Sequence, residues 1–244
     1  MKDLICGEYH VSSFPGGPAF WREFYLYLCR EGLYKQGEFI VEDNFGVHTN
    51  KEDKEKKFVL FVRHPCEIIY LSYRHHSVTD EYWWAKKVFD PDPEVLEDFY
   101  DLTRTKELFA VDGSSYQDIL NSIKKEEDRI VFEMLHSSRH TCTAFHNDFL
   151  KYGGDDNYLF LRVEDLLNEE TLYAACERVC DIFSLTDAHE RNVAYRFFQR
   201  YFDAKRISGE IVLDYKFPSV FRKKHYDVIE ERYPENFLED VQYL

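Results

Sequence analysis

The chain has 244 residues, of which 44% are hydrophobic and 17% aromatic, so it carries enough apolar side chains to bury a full core. Its formal net charge of −15 argues against nucleic acid and anionic membranes as partners, because both attract clustered positive charge. Asp3 and Glu8 interrupt the stretch where a signal peptide would be apolar. We expect one cytoplasmic domain over residues 1–244, with no membrane span and with its six cysteines as free thiols.

A strand, a turn and a helix follow one another near the start of the chain. Residues 4–14 are apolar and β-prone, Pro18 suits a first helical turn, and Gly32 is a C-terminal stop. The unit recurs where the strand Lys57 to Val62 precedes a helix from Pro65 to about His76. A third buried strand lies in 157–167. Further helical patterns cover 93–109, 115–150, 169–183, 187–203 and 219–233.

Unbroken apolar strands that alternate with helices predict the fold class. They indicate an α/β fold with a central parallel β-sheet flanked by helices on both faces. Ligands of such sheets bind beyond the carboxyl ends of the strands. Both turns described above are expected at that edge.

The first turn is a candidate phosphate cradle. Backbone N–H groups of Gly16, Gly17, Ala19 and Phe20 at a helix N-terminus bind an anion without a cationic side chain. The motif is not a Walker loop, since the pattern G-x-x-x-x-G-K-[ST] is absent. Plain turn geometry also explains two glycines, and that alternative stays open.

The second turn adds a cation. Arg63 follows the strand "FVLFV" and precedes "HP", so its guanidinium is expected at the same sheet edge, where a bidentate contact to an anion is natural. The alternative is an ordinary surface pair with a carboxylate.

Four motifs in this order resemble the cytosolic PAPS-dependent sulfotransferases, over nearly the whole chain. They are "FPGG" with Trp21 after the first strand, "RHP" after the second, a serine in the next helix, and "RVEDL" in 162–166. The resemblance implies a P-loop-like nucleotide-binding fold. It also implies transfer of a sulfuryl group from 3′-phosphoadenosine 5′-phosphosulfate (PAPS) to a hydroxyl or amine of a small-molecule acceptor, leaving the bisphosphate PAP, with no metal.

The resemblance also implies site residues. The first turn holds the 5′-phosphosulfate, Trp21 lies against adenine, Arg63 and Ser72 hold the 3′-phosphate, and "AKRISGE" matches a basic C-terminal segment. The nucleotide-binding set is therefore Gly16, Gly17, Pro18, Ala19, Phe20, Trp21, Arg63, Ser72, Arg206 and Gly209. His48 matches the histidine that acts as general base, and an exposed loop histidine is the alternative.

The chain departs from the family pattern at several positions, among them Pro18, Ala19 and Phe20, which replace the family's usual small and hydroxyl residues. Gly16 stands where the family has a lysine or arginine, and Val163 replaces an aromatic residue. Ser72 comes nine residues after Arg63 instead of eight, and one residue rotates a helical side chain by about 100°. Either that helix contains a bulge or Ser72 is not a ligand.

Without the family's lysine, other groups must stabilise the negative charge that develops on the oxygen between the sulfur and the phosphate. Candidates are the backbone N–H groups of the turn, Arg22, or a cation on the acceptor itself. An acidic, aromatic chain favours a cationic, partly apolar acceptor through its field and through cation–π contacts.

Other features and functions remain as alternatives. His136, His140, Cys142 and His146 share a helical stretch, but without a carboxylate motif we expect surface histidines and no metal. Residues 76–93 are a lid or acceptor wall, or contribute Trp83 and Trp84 to the core. The rival functions are a catalytically lapsed member that binds nucleotide or a partner, and a small-molecule kinase, which would lack a Walker lysine.

Overall fold

A computed structural model describes residues 4–8, 17–34, 39–41, 57–104, 113–207 and 221–240 of the chain. These residues belong to two compact units, the first from the stretches 1–63 and 148–215 and the second from 64–147 and 216–244. The expectation of one domain over the whole chain stays a prediction.

Within the described residues, the first unit contains the four strands and four helices. Its elements are β1 (Leu4–Glu8), α1 (Gly17–Arg30), β2 (Phe39–Val41), β3 (Lys57–Val62), β4 (Tyr158–Arg162), α8 (Val163–Leu167), α9 (Glu169–Ile182) and α10 (Ala188–Ile207). Helix α7 (Arg139–Tyr152) begins in the second unit and ends in the first. The second unit holds α2 (Pro65–Val78), α3 (Tyr82–Ala85), α4 (Pro93–Thr103), α5 (Tyr116–Ser122), α6 (Glu126–Glu133), a π-helical turn (Met134–Ser138), α11 (Lys223–Arg232) and α12 (Phe237–Asp240).

All four described strands run parallel, in the order β2-β1-β3-β4. β3 pairs with β1 from Leu4 opposite Lys57 to Glu8 opposite Phe61, and with β4 on its other side. The residues of β3 from Phe58 onward are buried on both faces, as expected for a strand inside a parallel sheet. The predicted α/β class is confirmed at this level: the described residues are mostly helical, with a small parallel sheet.

One face of the sheet is covered by helices α1, α9 and α10. Alternate residues of β3 and β4 point to this face, and they pack with apolar residues from each of the three helices. Helices on both faces of the sheet stay a prediction, because only this covered face is described within the first unit.

Helix α1 ends as its sequence predicts. Gly32 has a φ of 77°, in the left-handed region that favours glycine. The N–H of Leu33 donates to the carbonyl of Leu28 at 2.9 Å, and the N–H of Gly32 donates to that of Cys29 at 3.1 Å. These two bonds form a Schellman motif, which satisfies the last carbonyls of the helix.

The predicted helix over 115–150 is not continuous. Ser115 and Asp118 form a capping box that starts α5, and Ile123 takes an extended conformation after it. A new helix begins at Glu126 with three acidic residues in its first turn, where carboxylates offset the positive end of the helix dipole. The π-helical turn then interrupts the α-helical pattern.

Two expectations concern the described residues only. The five cysteines with described side chains, Cys29, Cys66, Cys142, Cys176 and Cys180, are free thiols, as predicted. Among the described helices, none combines the length and apolar character that crossing a bilayer requires.

Phe24 tests the core of the first unit. Its fully buried ring packs against Phe20, Phe183 and Phe198. Phe24→Ala is expected to lower the free energy of unfolding by about 3–5 kcal/mol, through lost burial and the cavity left behind. Urea denaturation measures this. Leu26→Ala, at a side chain 51% exposed on the same helix, is the control and should change stability by less than about 0.5 kcal/mol. A similar loss in both variants would contradict this core assignment.

Candidate functional site

The strand order creates a switch point between β1 and β3. β2 follows β1 in the chain but lies on the opposite side of β1 from β3, so the connections leave β1 and β3 in different directions. A crevice forms outside the carboxyl ends of parallel strands at such a point, and ligands of open α/β sheets bind there. β1 ends at Glu8, opposite Phe61, and Arg63 directly follows β3. The candidate site is this edge of the sheet.

Arg63 lies at the switch point and is only 7% exposed. A guanidinium stays charged when buried, and it offers five N–H donors in a planar fork. A buried charge of this kind requires charged or polar partners. The position predicted for Arg63, at the carboxyl end of β3, is confirmed.

Helix α1 supplies the second donor set in the same unit. It begins at Gly17, within the connection that follows β1, and its first turn contains no acidic residue. The first N–H groups of a helix have no partners inside it, and together with the helix dipole they favour an anion. Only the backbone of Gly17, Pro18 and Ala19 is described. Gly16 lies outside the described residues.

The side chains of Phe20 and Trp21 belong to the core. Both are fully buried, and the Trp21 ring stacks on Phe61 with centroids 4.7 Å apart. The ring therefore does not offer a free face to adenine, and the site retains only the backbone of these residues. The Trp21 indole Nε1 has no hydrogen-bond partner in the described part of the chain.

Helix α2 contains Ser72, whose predicted role depends on whether this helix has a bulge. It is α-helical from Pro65 to Val78 without a bulge, and Ser72 is fully buried. The helix thus keeps the nine-residue spacing from Arg63, and a ligand role for Ser72 stays a prediction.

His64 caps the start of α2. Its Nδ1 accepts a hydrogen bond from the N–H of Cys66 at 3.1 Å, so the ring proton of the neutral imidazole is on Nε2. Burial lowers the pKa of His64 to about 4, and the ring is therefore neutral at physiological pH.

The remaining predicted residues are only partly covered by the structure. Arg206 lies in the last turn of α10, where only its backbone is described. Gly209 and His48 lie outside the described residues. Arg162 of the "RVED" motif makes a bidentate pair with Asp165, at 3.1 Å from Nε and 2.7 Å from Nη2, so these two residues fix the turn from β4 into α8.

A second polar cluster, which the sequence analysis missed, surrounds Glu133 in the second unit. The Glu133 carboxylate is fully buried and has three hydrogen-bond partners. These are His76 Nδ1 at 2.9 Å, the Tyr116 hydroxyl at 2.9 Å and the Ser138 hydroxyl at 2.9 Å. His76 and Tyr116 are brought to Glu133 by the packing of α2 and α5 on α6, which no sequence spacing predicts, whereas Ser138 is a local partner five residues further along in the π-helical turn.

His136 lies in the π-helical turn beside this cluster. Its ring packs on Phe132 with centroids 4.3 Å apart, and burial lowers its pKa to about 4. In the described ranges, no three histidine, cysteine or acidic side chains are close enough to hold a metal ion.

Comparison with family models, with curated proteins and with solved structures found no match to this chain.

The two neutral histidines predict how stability depends on pH. Between pH 6.5 and 5 the unfolded chain binds protons at His64 and His136 that the folded chain does not, so acidification lowers the free energy of unfolding. Each residue contributes up to about 1.4 kcal/mol per pH unit. Urea unfolding at several pH values measures the slope.

His136→Asn should remove one histidine's share of this slope. His189→Gln, at an exposed histidine of α10, is the matched control and should leave the slope unchanged. An unchanged slope in His136→Asn would show that this ring is protonated in the folded protein.

Proposed function

We propose that this chain is a sulfotransferase, which moves a sulfuryl group from PAPS to a hydroxyl or amine of a small-molecule acceptor. The observation that carries the proposal is the placement of Arg63 at the carboxyl end of β3, next to β1, with helix α1 packing Trp21 on Phe61 of the same strand. In the family that the chain resembles, the turn before α1 and the arginine at the Arg63 position hold the two phosphate ends of a bisphosphorylated nucleotide. The finer fold, a nucleotide-binding sulfotransferase sheet with helices on both faces, is part of the same proposal.

The donor set fits an anionic ligand. Arg63 provides a permanent positive charge with a geometry suited to phosphate, and the N-terminus of α1 provides main-chain N–H donors without a competing carboxylate in its first turn. The described residues fit the adenine ring less well, because the Trp21 side chain is buried in the core. Phosphate recognition therefore carries the proposed affinity.

The proposed reaction needs positioning more than covalent chemistry. The acceptor oxygen or nitrogen forms a bond to sulfur while the bond from sulfur to the phosphate oxygen breaks, and PAP leaves. Main-chain donors at α1 would stabilise charge on the leaving phosphate, in place of the lysine that Gly16 replaces. In-line positioning lowers the rest of the barrier, as in phosphoryl transfer. The acceptor proton needs a base, for which the sequence predicts His48.

Arg63 provides the first test. Arg63→Ala should weaken PAP binding by about 10-fold to 100-fold, because it removes charge-assisted hydrogen bonds. Isothermal calorimetry measures the dissociation constant, and Arg74→Ala, at an exposed arginine of α2, is the matched control. Equal affinity in the wild type and in Arg63→Ala would refute the nucleotide site.

In a thermal-shift comparison, PAP should raise the melting temperature more than ATP with magnesium does, since a ligand that binds only the folded state stabilises it. A larger shift with ATP would support the kinase alternative.

Transfer of labelled sulfate tests the reaction and the acceptor class. With PAPS as donor, alcohols that bear an amine or guanidinium should react faster than neutral phenols of the same size, because the chain is strongly acidic. Faster reaction of the phenols would contradict the cationic acceptor. PAP binding without transfer to any acceptor would favour the lapsed, nucleotide-binding alternative.

A further inference from the structure

The exposed apolar surface of the second unit is concentrated in one segment, residues 78–88, which runs from the end of α2 through α3. The exposed fraction is 78% for Val78, 61% for Tyr82, 64% for Trp83 and 59% for Val88. Within the described part of this unit, all the large hydrophobic side chains that are mostly exposed belong to this segment. The rings of Tyr82 and Trp83 contact each other edge to face, with centroids 5.8 Å apart. Such a concentration marks an interaction surface, whereas single exposed side chains scattered over a surface do not.

The backbone of the 78–88 segment is held at both ends. The Gln117 side chain donates a hydrogen bond to the carbonyl of Thr79 at 2.7 Å, and Val88 forms an antiparallel bridge with Ser115. Between these points, the half-buried Trp84 ring packs inward against two buried rings of the same unit, with centroids 3.9 and 5.2 Å apart. Because α3 is presented in a defined position, association through this segment loses little conformational entropy.

The charges of the segment are divided between its two ends. Asp80 and Glu81 precede α3, and Lys86 and Lys87 follow it, with all four side chains exposed. Neither Asp80 nor Lys86 makes an ion pair with another residue in the described ranges. Glu81 lies 3.4 Å from His75, and Lys87 Nζ lies 4.9 Å from the centroid of the neighbouring exposed indole. The segment therefore has a negative end, an aromatic middle and a positive end.

This pattern is complementary to itself. When two copies meet about a two-fold axis perpendicular to α3, their segments are antiparallel, and the negative end of each copy faces the positive end of the other. The aromatic middles then meet, and tyrosine and tryptophan are the side chains that most often anchor protein interfaces. A partner with a surface of one charge sign would instead meet one end of like charge, which costs free energy. Among possible partners, the charge pattern thus favours a second copy of this chain.

We propose that residues 78–88 form a homodimer interface, in which the segments of two copies pack antiparallel about a two-fold axis. The two exposed aromatic side chains offer on the order of 250 Å² per copy. With their neighbours, the interface buries roughly 1,000 Å² in total, in the range of transient associations. The dimer is therefore weak, with a dissociation constant on the order of 10–100 μM. It involves the second unit alone, and binding of PAP by the first unit is not needed for it.

Sedimentation velocity over a concentration series measures the dimer and locates its interface. Trp83→Ala should raise the dissociation constant by about 10-fold or more, because a central tryptophan carries a large share of binding energy. Tyr173→Ala, at an exposed aromatic residue outside the segment, is the matched control and should stay within about twofold of the wild type. A wild type that stays monomeric at about 1 mM overturns the proposal, as does a dimer that Trp83→Ala leaves intact.

Charge reversal tests the antiparallel arrangement. Asp80→Lys with Glu81→Lys makes both ends of the segment positive, and Lys86→Glu with Lys87→Glu makes both ends negative. Each double variant should dissociate about 10-fold more readily than the wild type, because like charges then face each other. An equimolar mixture of the two should form heterodimers. The variant with all four changes should dimerise like the wild type, and because its net charge is unchanged it controls for general repulsion between copies.

The mixture gives the sharpest outcome. Absence of heterodimers from the mixture overturns the antiparallel dimer, and so does a double variant that dimerises as tightly as the wild type. The melting temperature of each variant reports whether it is folded. If a double variant does not fold, the comparison of Trp83→Ala with Tyr173→Ala still decides whether the segment is the interface.

Discussion

The parallel pairing of β1 with β3 is the constraint on which the first unit depends. The register that places Glu8 opposite Phe61 makes both strands end at one edge of the sheet. Helix α1 returns from that edge and packs Trp21 on Phe61, so the core forms directly below the switch point. The same register brings Arg63 to the crevice. Apolar burial and the proposed recognition of an anion therefore follow from one arrangement of hydrogen bonds between strands.

Elements with strong local signals were predictable from the sequence. β3 is an unbroken apolar run, α1 has a glycine at its C′ position, and α2 starts at a proline, and the structure confirms all three. β2 was missed because three residues give no periodicity. The helix predicted over 115–150 was wrong as a continuous element, because the apolar pattern continues through Ile123 whereas the capping groups end one helix and start another.

The candidate site was less predictable than the fold, for two physical reasons. An aromatic side chain such as Trp21 suits a ligand face and a core equally well, and only packing decides between them. The Glu133 cluster joins residues from three helices, and a hydrogen bond between distant side chains leaves no trace in sequence spacing. Arg63 was predictable because its position follows from the end of a strand. His48, Gly16 and Gly209 lie outside the described residues.

The division of the chain into two units has a consequence for synthesis on the ribosome. The first unit needs β4, α9 and α10 to cover β3, but the whole stretch 64–147 is translated before them. At typical elongation rates this delay is on the order of ten seconds. During that time the apolar surface of β1 and β3 lacks two of its three covering helices, α9 and α10, and an unpaired strand edge is prone to association. Chaperone demand should therefore peak late in translation, just before α10 emerges.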